Sequence, residues 1–411
     1  MNKNLKTLAD ENLKKQKSLY DKTIEAGKGM KSPVIQEQPT EPIIPEKVEY
    51  PEGFHNQTPD LRFDEPQYIM GSTPLEMRDC EVKSIYELIG KEKPEEDKVL
   101  VIIQDGGIGD AVCATPMLEQ ARKIYPNKTI VVGSTHPEVL ERNPNIDHLY
   151  HLAMPGNLFE KWVRPLKHLG SVRKLDIYNE NAHKLFPGPL SMIWSYLYNL
   201  PWQNDDVKIY LTENEENDAK VWLSSFAPRE VIIIHTAGAH ITYNPKVQVT
   251  PNKDWFKDYW ARLVSMLSID YDVVQVGGPE EERIPGCSMY LMGGCSLRAT
   301  CALLKYCLTY VGIDSFCNHA GPAVGKSGVV LFGRSNPYIA GHAINRNLWI
   351  DGSCVDDNLF CGRPCGYFGD SELHKGNMRS WECKTRSCMR ALTPEIVYDQ
   401  TIQHIKQLKG E

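Results

Sequence analysis

Twice along this chain a short run of β-branched residues ends in glycine and gives way to a segment of helical periodicity. "KVLVII" (98–103) runs through "QDGGIGD" into "AVCATPMLEQARKIYP", where Val112, Met117, Leu118, Ala121 and Ile124 fall near helical spacing. "KTIVVGST" reads as the next strand, "HPEVLERNP" as a helical turn and "HLYHLA" as a short strand. From Glu230 the pattern restarts with "VIIIHTAG", "KDWFKDYWARLVSMLSI", "DVVQVGG", "SLRATCALLKYC", "LTYVGID", "CNHAGPAVGK" and "GVVLFG". Continuous apolar runs bounded by glycine suit strands buried on both faces. Strand–helix–strand alternation then demands parallel sheets with right-handed crossovers. The prediction is an α/β protein built from two such halves in series, split near residues 212–229.

The 411 residues, 41% hydrophobic and 24% charged, are enough for two or three globular domains. A net charge of −7 argues against a chain built to neutralise a nucleic-acid backbone. The opening "MNKNLKTLADENLKK" lacks the apolar core of a signal peptide, and runs such as "VLVII" and "VIII" are too short to span a bilayer. The expectation is a cytoplasmic protein with no transmembrane segment. Residues 1–30, rich in Lys, Glu and Leu, read as a helical or solvated tail. Residues 31–96 contain "SPVIQEQPTEPIIPEKVEYPEG" and read as a Pro/Glu-rich arm or linker, which cannot bury a core. The expected domains are 97–215 and 230–350, followed by a Cys-rich segment at 351–390 and a C-terminal helix at 391–408. Thr393 is placed as the cap of that helix and Pro394 at its first position.

The glycine-rich turn invites a dinucleotide reading, which its details oppose. After Gly107 and Gly109 the third glycine of G-x-G-x-x-G is missing, and the next strand ends "VVGST" with no acid for a ribose. No Lys-Ser/Thr follows, so it is not a P-loop either. Asp110 at a helix N-terminus would repel a phosphate, yet the helix dipole stabilises it. It reads as a general base for a hydroxyl or, equally, as a simple cap on a tight turn. Asp105, at the strand end, is a secondary candidate for the same surface.

In the second half, Asp314 stands at a strand end, and Ser315, Cys317 and His319 open a helix whose free N–H groups suit an anion. The alternative is a capping Asp with a packed His. Thr236 and Gly238 of "HTAG" belong to another strand-end turn. Lys253 offers a point charge for phosphate. "GGPEEE", with Glu281, suits a hydroxyl-rich ribose.

These segments together resemble glycosyltransferase family nine, the ADP-heptose:lipopolysaccharide heptosyltransferases. "VLVIIQDGGIGDAVCATPMLEQARKIYP" is similar to the family's opening strand, G-x-x-G-D turn and helix. "KDWFKDYWARLVSML", "VVQVGGPEE", "VGIDSFCNHAGPAVGKSGVVLFGRSNP" and "CMRALTPEIV" resemble its later motifs in order, over roughly 97–405. Phe316 stands where the family has glycine, and the 240–253 loop is longer than usual. The resemblance implies a GT-B fold, two Rossmann-like domains facing a cleft, with no metal required at the diphosphate. It implies that the first half takes the acceptor and the second a nucleoside-diphosphate sugar such as ADP-heptose. By motif, Asp110 resembles the catalytic base. Lys253, Glu281 or a neighbouring Glu, Asp314, Ser315 and His319 resemble donor-site residues, with Thr236 and Gly238 beside them and Asp105, Gly107 and Gly109 on the acceptor side. The implied activity is inverting transfer of heptose or a related sugar to a hydroxyl of a glycan, protein or other acceptor. No pattern specifies an oligomeric state.

The segment 354–388 carries Cys361-x3-Cys365 and Cys383-x4-Cys388. Four thiolates in two short pairs suit structural zinc or iron, and buried thiols are the alternative. An iron-binding cysteine finger occurs in the autotransporter heptosyltransferases, which this segment loosely resembles. Cysteines 287, 295, 301, 307 and 317 read as core residues. A second functional reading is a catalytically silent glycosyltransferase-like module that binds a partner through its tail and finger.

Overall fold

The computed structural model describes residues 47–51, 53–58, 99–104, 106–152, 172–174, 188–198, 200–238, 240–241, 244–248, 253–333, 335–350 and 386–411. The 1–30 tail, most of the 31–96 arm, Asp105, Cys361, Cys365 and Cys383 lie outside them. The arm contributes β1 (Phe54–His55). The first half then runs β2 (Val99–Gln104), α1 (Ile108–Cys113), α2 (Thr115–Ile124), β3 (Thr129–Ser134), β4 (His148–His151), β5 (Val172–Lys174) and α3 (Leu190–Leu197). Its strands form a parallel sheet ordered β4-β3-β2-β5.

After α4 (Glu213–Phe226), the second half runs β6 (Val231–His235), the hairpin β7 (His240–Ile241) and β8 (Asn244–Gln248), α5 (Lys257–Leu267) and β9 (Asp272–Val276). It continues with β10 (Met289–Tyr290), α6 (Leu297–Tyr306), β11 (Thr309–Ile313), α7 (Phe316–Ala323), β12 (Val329–Phe332), α8 (Pro337–Ala340) and β13 (Arg346–Ile350). The chain closes with α9 (Ser387–Ala391) and α10 (Pro394–Lys409). The larger sheet is ordered β1-β13-β12-β11-β6-β9-β10, and β1 alone is antiparallel within it. Without β1 the order is that of a doubly wound dinucleotide-type sheet, whose direction of winding reverses between β6 and β11. Ligands bind such sheets outside the carboxyl ends of the strands at that reversal.

The apolar runs serve both faces of this sheet by simple alternation. Val231, Ile233, Val274, Tyr310, Val330 and Phe332 face one side and join the cluster that also holds Ile102, Met117 and Trp194 of the first half. Ile232, Ile234, Val273, Val311, Ile313 and Leu331 face the other side, under Trp260, Leu263, Val397 and Ile405. As the sequence suggested, Cys301, Cys307 and Cys317 are buried, while Cys287 and Cys295 are half-buried against these clusters.

One expectation needs correcting. The helix after the glycine turn does not begin at Ala111. It begins at Ile108, breaks at Ala114 and restarts as α2, with Pro116 in its first turn. Pro116 has no N–H to donate to Val112 O, and Thr115 Oγ1 donates to that carbonyl at 2.7 Å across the break instead. The 212–229 region, where the sequence places the split between the halves, holds α4. Thr212 Oγ1 accepts from Glu215 N–H at 3.1 Å, and the Glu215 carboxylate accepts from Thr212 N–H at 2.7 Å, a reciprocal cap. The terminal helix behaves as expected: Thr393 Oγ1 accepts from Ile396 N–H at 3.4 Å, and Pro394 opens α10. Among the described residues no helix is long and apolar enough to cross a membrane.

Candidate active site

The turn after β2 is held by its neighbour strand. Thr135 Oγ1 donates to Gly106 O at 2.6 Å and accepts from Gly106 N–H at 3.4 Å. Gly107 caps α1, and the Asp110 carboxylate, one turn in, accepts from Gly107 N–H at 2.9 Å. Asp110 is thus neither a surface acid nor the cap itself. It is 7% exposed and fixed by the backbone it folds back on. Gly109 is required by close approach, because a Cβ there would sit 2.5 Å from His319 Cδ2. The first half's turn and the second half's α7 therefore touch backbone to ring.

On the other side, the sequence-predicted residues gather at the carboxyl ends of β6, β9 and β11, around the reversal point. Asp314, 2% exposed, is ion-paired with Lys253 at 2.6 Å. Burial alone would raise its carboxyl, but the Lys253 charge and the nearby His319 outweigh that and hold it below the ordinary value. Asn318 Nδ2 donates to Asp314 Oδ1 at 3.3 Å, and His319 Nε2 lies 4.0 Å from the same oxygen. Burial lowers the His319 pKa to about 3, so the ring is neutral at physiological pH. Ser315 caps α7 without using its side chain for the cap. Lys253 is not the isolated charge the sequence suggested, since its ammonium is shared with Asp314.

Thr236 Oγ1 accepts from Gln275 Nε2 at 3.1 Å, and Gly238 N–H donates to Asp254 Oδ1 at 3.0 Å. Glu281 Oε1 accepts from Gly278 N–H at 2.7 Å, while its Oε2 is buried with no hydrogen-bond partner. His235 Nδ1, at the end of β6, and Gln104 Nε2, at the end of β2, are likewise buried and unpartnered. Such atoms at strand ends are ready ligand contacts.

Burial, with a smaller contribution from Asp254, pushes the Glu281 carboxyl up to about 7 against the opposing Gly278 N–H. The folded state then keeps a proton that the unfolded chain releases above 4.5. Stability is lost as pH rises from there through about 7. In Glu281→Gln the melting temperature relative to wild type is expected to climb by a few degrees between about pH 5 and pH 8. A difference independent of pH would contradict this protonation.

Sequence reasoning missed three residues that the fold adds behind His319. Cys113 Sγ is 3.2 Å from His319 Nδ1, and His342 Nε2 is 2.9 Å from that same nitrogen. His342 Nδ1 in turn faces Asp205 Oδ2 at 2.9 Å. Cys113 shares its helix with Asp110, which was the available hint. His342 and Asp205 had none. Of the four cysteines predicted as metal ligands, Cys388 is half-buried against the second apolar cluster. The other three lie outside the described residues.

Residues 203–353 match the family model for glycosyltransferase family 9 (heptosyltransferase). No curated protein sequence matches the chain. Among solved structures, the family 9 glycosyl transferase of Veillonella parvula DSM 2008 aligns with a TM-score of 0.56 at 18% identity, covering 77% of this chain and 98% of that one. ADP-heptose lps heptosyltransferase II of E. coli aligns at 0.51 and 16% identity, covering 76% and 99%. TibC, the iron-containing dodecameric glycosyltransferase of enterotoxigenic E. coli H10407, aligns at 0.50 and 16%, covering 75% and 76%. Its complex with ADP-D-β-D-heptose aligns at 0.52 and 15%, covering 78% and 80%. The family model over 203–353 makes the chain a glycosyltransferase, and its fold resembles that of the family 9 structures.

Proposed function

We propose that this chain is an inverting glycosyltransferase. It moves heptose or a related sugar from a nucleoside diphosphate to a hydroxyl of a glycan, protein or other acceptor. The observation that supports this most is the contact of two turns distant in sequence, Gly109, beside Asp110, in one half against His319, beside Asp314, in the other. In this reading the acceptor oxygen bonds to the anomeric carbon as the bond from that carbon to the diphosphate oxygen breaks. The hydroxyl proton passes to Asp110, and the leaving diphosphate takes the electron pair. A single displacement of this kind inverts the anomeric centre.

Lys253, the α7 N-terminus at Ser315 and the Nε2 edge of His319 receive the diphosphate charge. Thr236, Gly238 and Glu281 line the nucleoside side, and Asp314 fixes Lys253. ADP-heptose, the donor held by TibC, is the first to try. With a panel of sugar nucleotides the full-length protein is expected to bind at least one and to release its nucleoside diphosphate, with an inverted product by NMR. Failure to bind any member of the panel would reject the reading in favour of a silent module.

A further inference from the structure

Behind the proposed donor site one buried cluster points more acceptor atoms at one another than its protons can satisfy. Cys113, His319 and His342 are 1%, 5% and 4% exposed, and their Sγ, Nδ1 and Nε2 all lie within 4.8 Å of one another. Because His342 Nδ1 meets the Asp205 carboxylate at 2.9 Å, that nitrogen carries the ring proton and Nε2 is a bare lone pair. A ring nitrogen offers a single in-plane direction, either a lone pair or an N–H. His319 Nδ1 has two claimants, Cys113 Sγ at 3.2 Å and His342 Nε2 at 2.9 Å.

If Nδ1–H serves His342, then His319 Nε2 turns a lone pair toward Asp314 Oδ1 at 4.0 Å. If Nδ1 is bare and accepts the thiol proton, two bare nitrogens face each other at 2.9 Å. One positive charge among the three removes the conflict. An extra proton on His342 satisfies the rings and leaves Cys113 without a partner nitrogen. A divalent cation takes all three.

We propose that Cys113, His319 and His342 form a transition-metal site of the zinc class, joining α1 of the first half to α7 and the 342 turn of the second. One thiolate and two imidazoles are the donor set of a borderline-soft ion. Zinc bonds of about 2.0–2.3 Å at tetrahedral angles hold ligand atoms roughly 3.4–3.6 Å apart. The two near separations here lie a few tenths of an ångström short of that, so the ligands spread slightly on binding. The outer layer is already built. Ser191 Oγ donates to Asp205 Oδ1 at 2.5 Å, Trp202 Nε1 donates to Ser191 Oγ at 3.1 Å, and Asp205 fixes the His342 tautomer. Ligation at Nδ1 leaves the His319 proton on Nε2, facing Asp314. None of its ligands is one of the cysteines at 361, 365, 383 and 388, and it stands whether or not the chain transfers sugar.

The test is cobalt titration of the reduced, chelator-treated full-length protein. To silence the cysteine pairs, it is done in the background Cys361→Ser, Cys365→Ser, Cys383→Ser, Cys388→Ser. One equivalent of cobalt is expected to bind with a thiolate-to-cobalt charge-transfer band. The band disappears on adding Cys113→Ser, and zinc X-ray absorption shows one sulfur and two nitrogens. The same titration of the background protein also carrying Asp205→Asn, which keeps every ligand, is expected to show one equivalent bound ~10–100-fold more weakly. No stoichiometric cobalt in the background protein, a band that survives Cys113→Ser, or unchanged affinity in Asp205→Asn would each overturn the site.

Discussion

Asp110→Asn is expected to lower kcat by ~10²–10⁴-fold, the usual contribution of a positioned general base, while the donor dissociation constant stays within about twofold. The separation of effects follows from how Asp110 is held. One carboxylate oxygen accepts from Gly107 N–H at 2.9 Å, and an amide oxygen can make the same bond, so α1 still starts at the same residue. What the amide cannot do is take a proton from an acceptor hydroxyl. The residues proposed to hold the donor belong to the other sheet and do not depend on this charge. Steady-state kinetics at saturating donor, with calorimetry of nucleotide binding, checks both halves of the statement. Near-wild-type turnover would remove Asp110 from the mechanism, and lost donor binding would make it structural.

Arg298→Ala is expected to destabilise the protein by about 2–3 kcal/mol, because it removes charged hydrogen bonds to a half-buried acid and to two backbone carbonyls. Arg298, 8% exposed, forks onto both Glu215 oxygens at 2.5 and 2.8 Å. It also donates to Glu138 O at 3.0 Å and to Tyr210 O at 2.8 Å. One side chain thus ties the first half, the segment between the halves, α4 and α6. The hydrogen bond from Arg298, with the Thr212 cap adding to it, holds the Glu215 carboxyl at about 2, well under its ordinary 4.5. A lowered carboxylate stabilises the fold above the unfolded pKa, and that contribution drains away as pH falls from about 4.5 toward 2. The variant should therefore lose stability at neutral pH and also show a shallower acid limb. Thermal melts across pH check this, and a melting temperature within about 1 °C of wild type at neutral pH would contradict it.

The parts of this molecule that were legible in its sequence are those governed by local periodicity. "VLVII", "VIIIH" and "DVVQV" could only be strands buried on both faces, and glycine after each marked where a ligand-facing turn begins. The reciprocal cap of α4 is written locally as Thr212-x-x-Glu215, inside a polar segment whose composition equally suits a boundary. The break before Pro116 was likewise encoded. Packing across the halves was not. Nothing local links Cys113 to a ring 206 residues away, and only the fold turns Gly109 from a flexible turn residue into the sole residue type that fits against His319.

The two residues of β1 carry a consequence beyond their length. An outermost strand such as β13 presents a ladder of unused N–H and C=O groups, a template on which another chain can polymerise. Here the ladder is paired by Phe54 and His55 from a segment some three hundred residues away in sequence. The His55 and Trp349 rings stack at 4.3 Å, Trp349 Nε1 donates to Gln57 O, and Asn347 Nδ2 donates to Thr58 Oγ1. Tyr50 and Asn56 fasten the same segment to Asp399 and Gln400 of α10. The chain thus supplies its own guard against lateral aggregation.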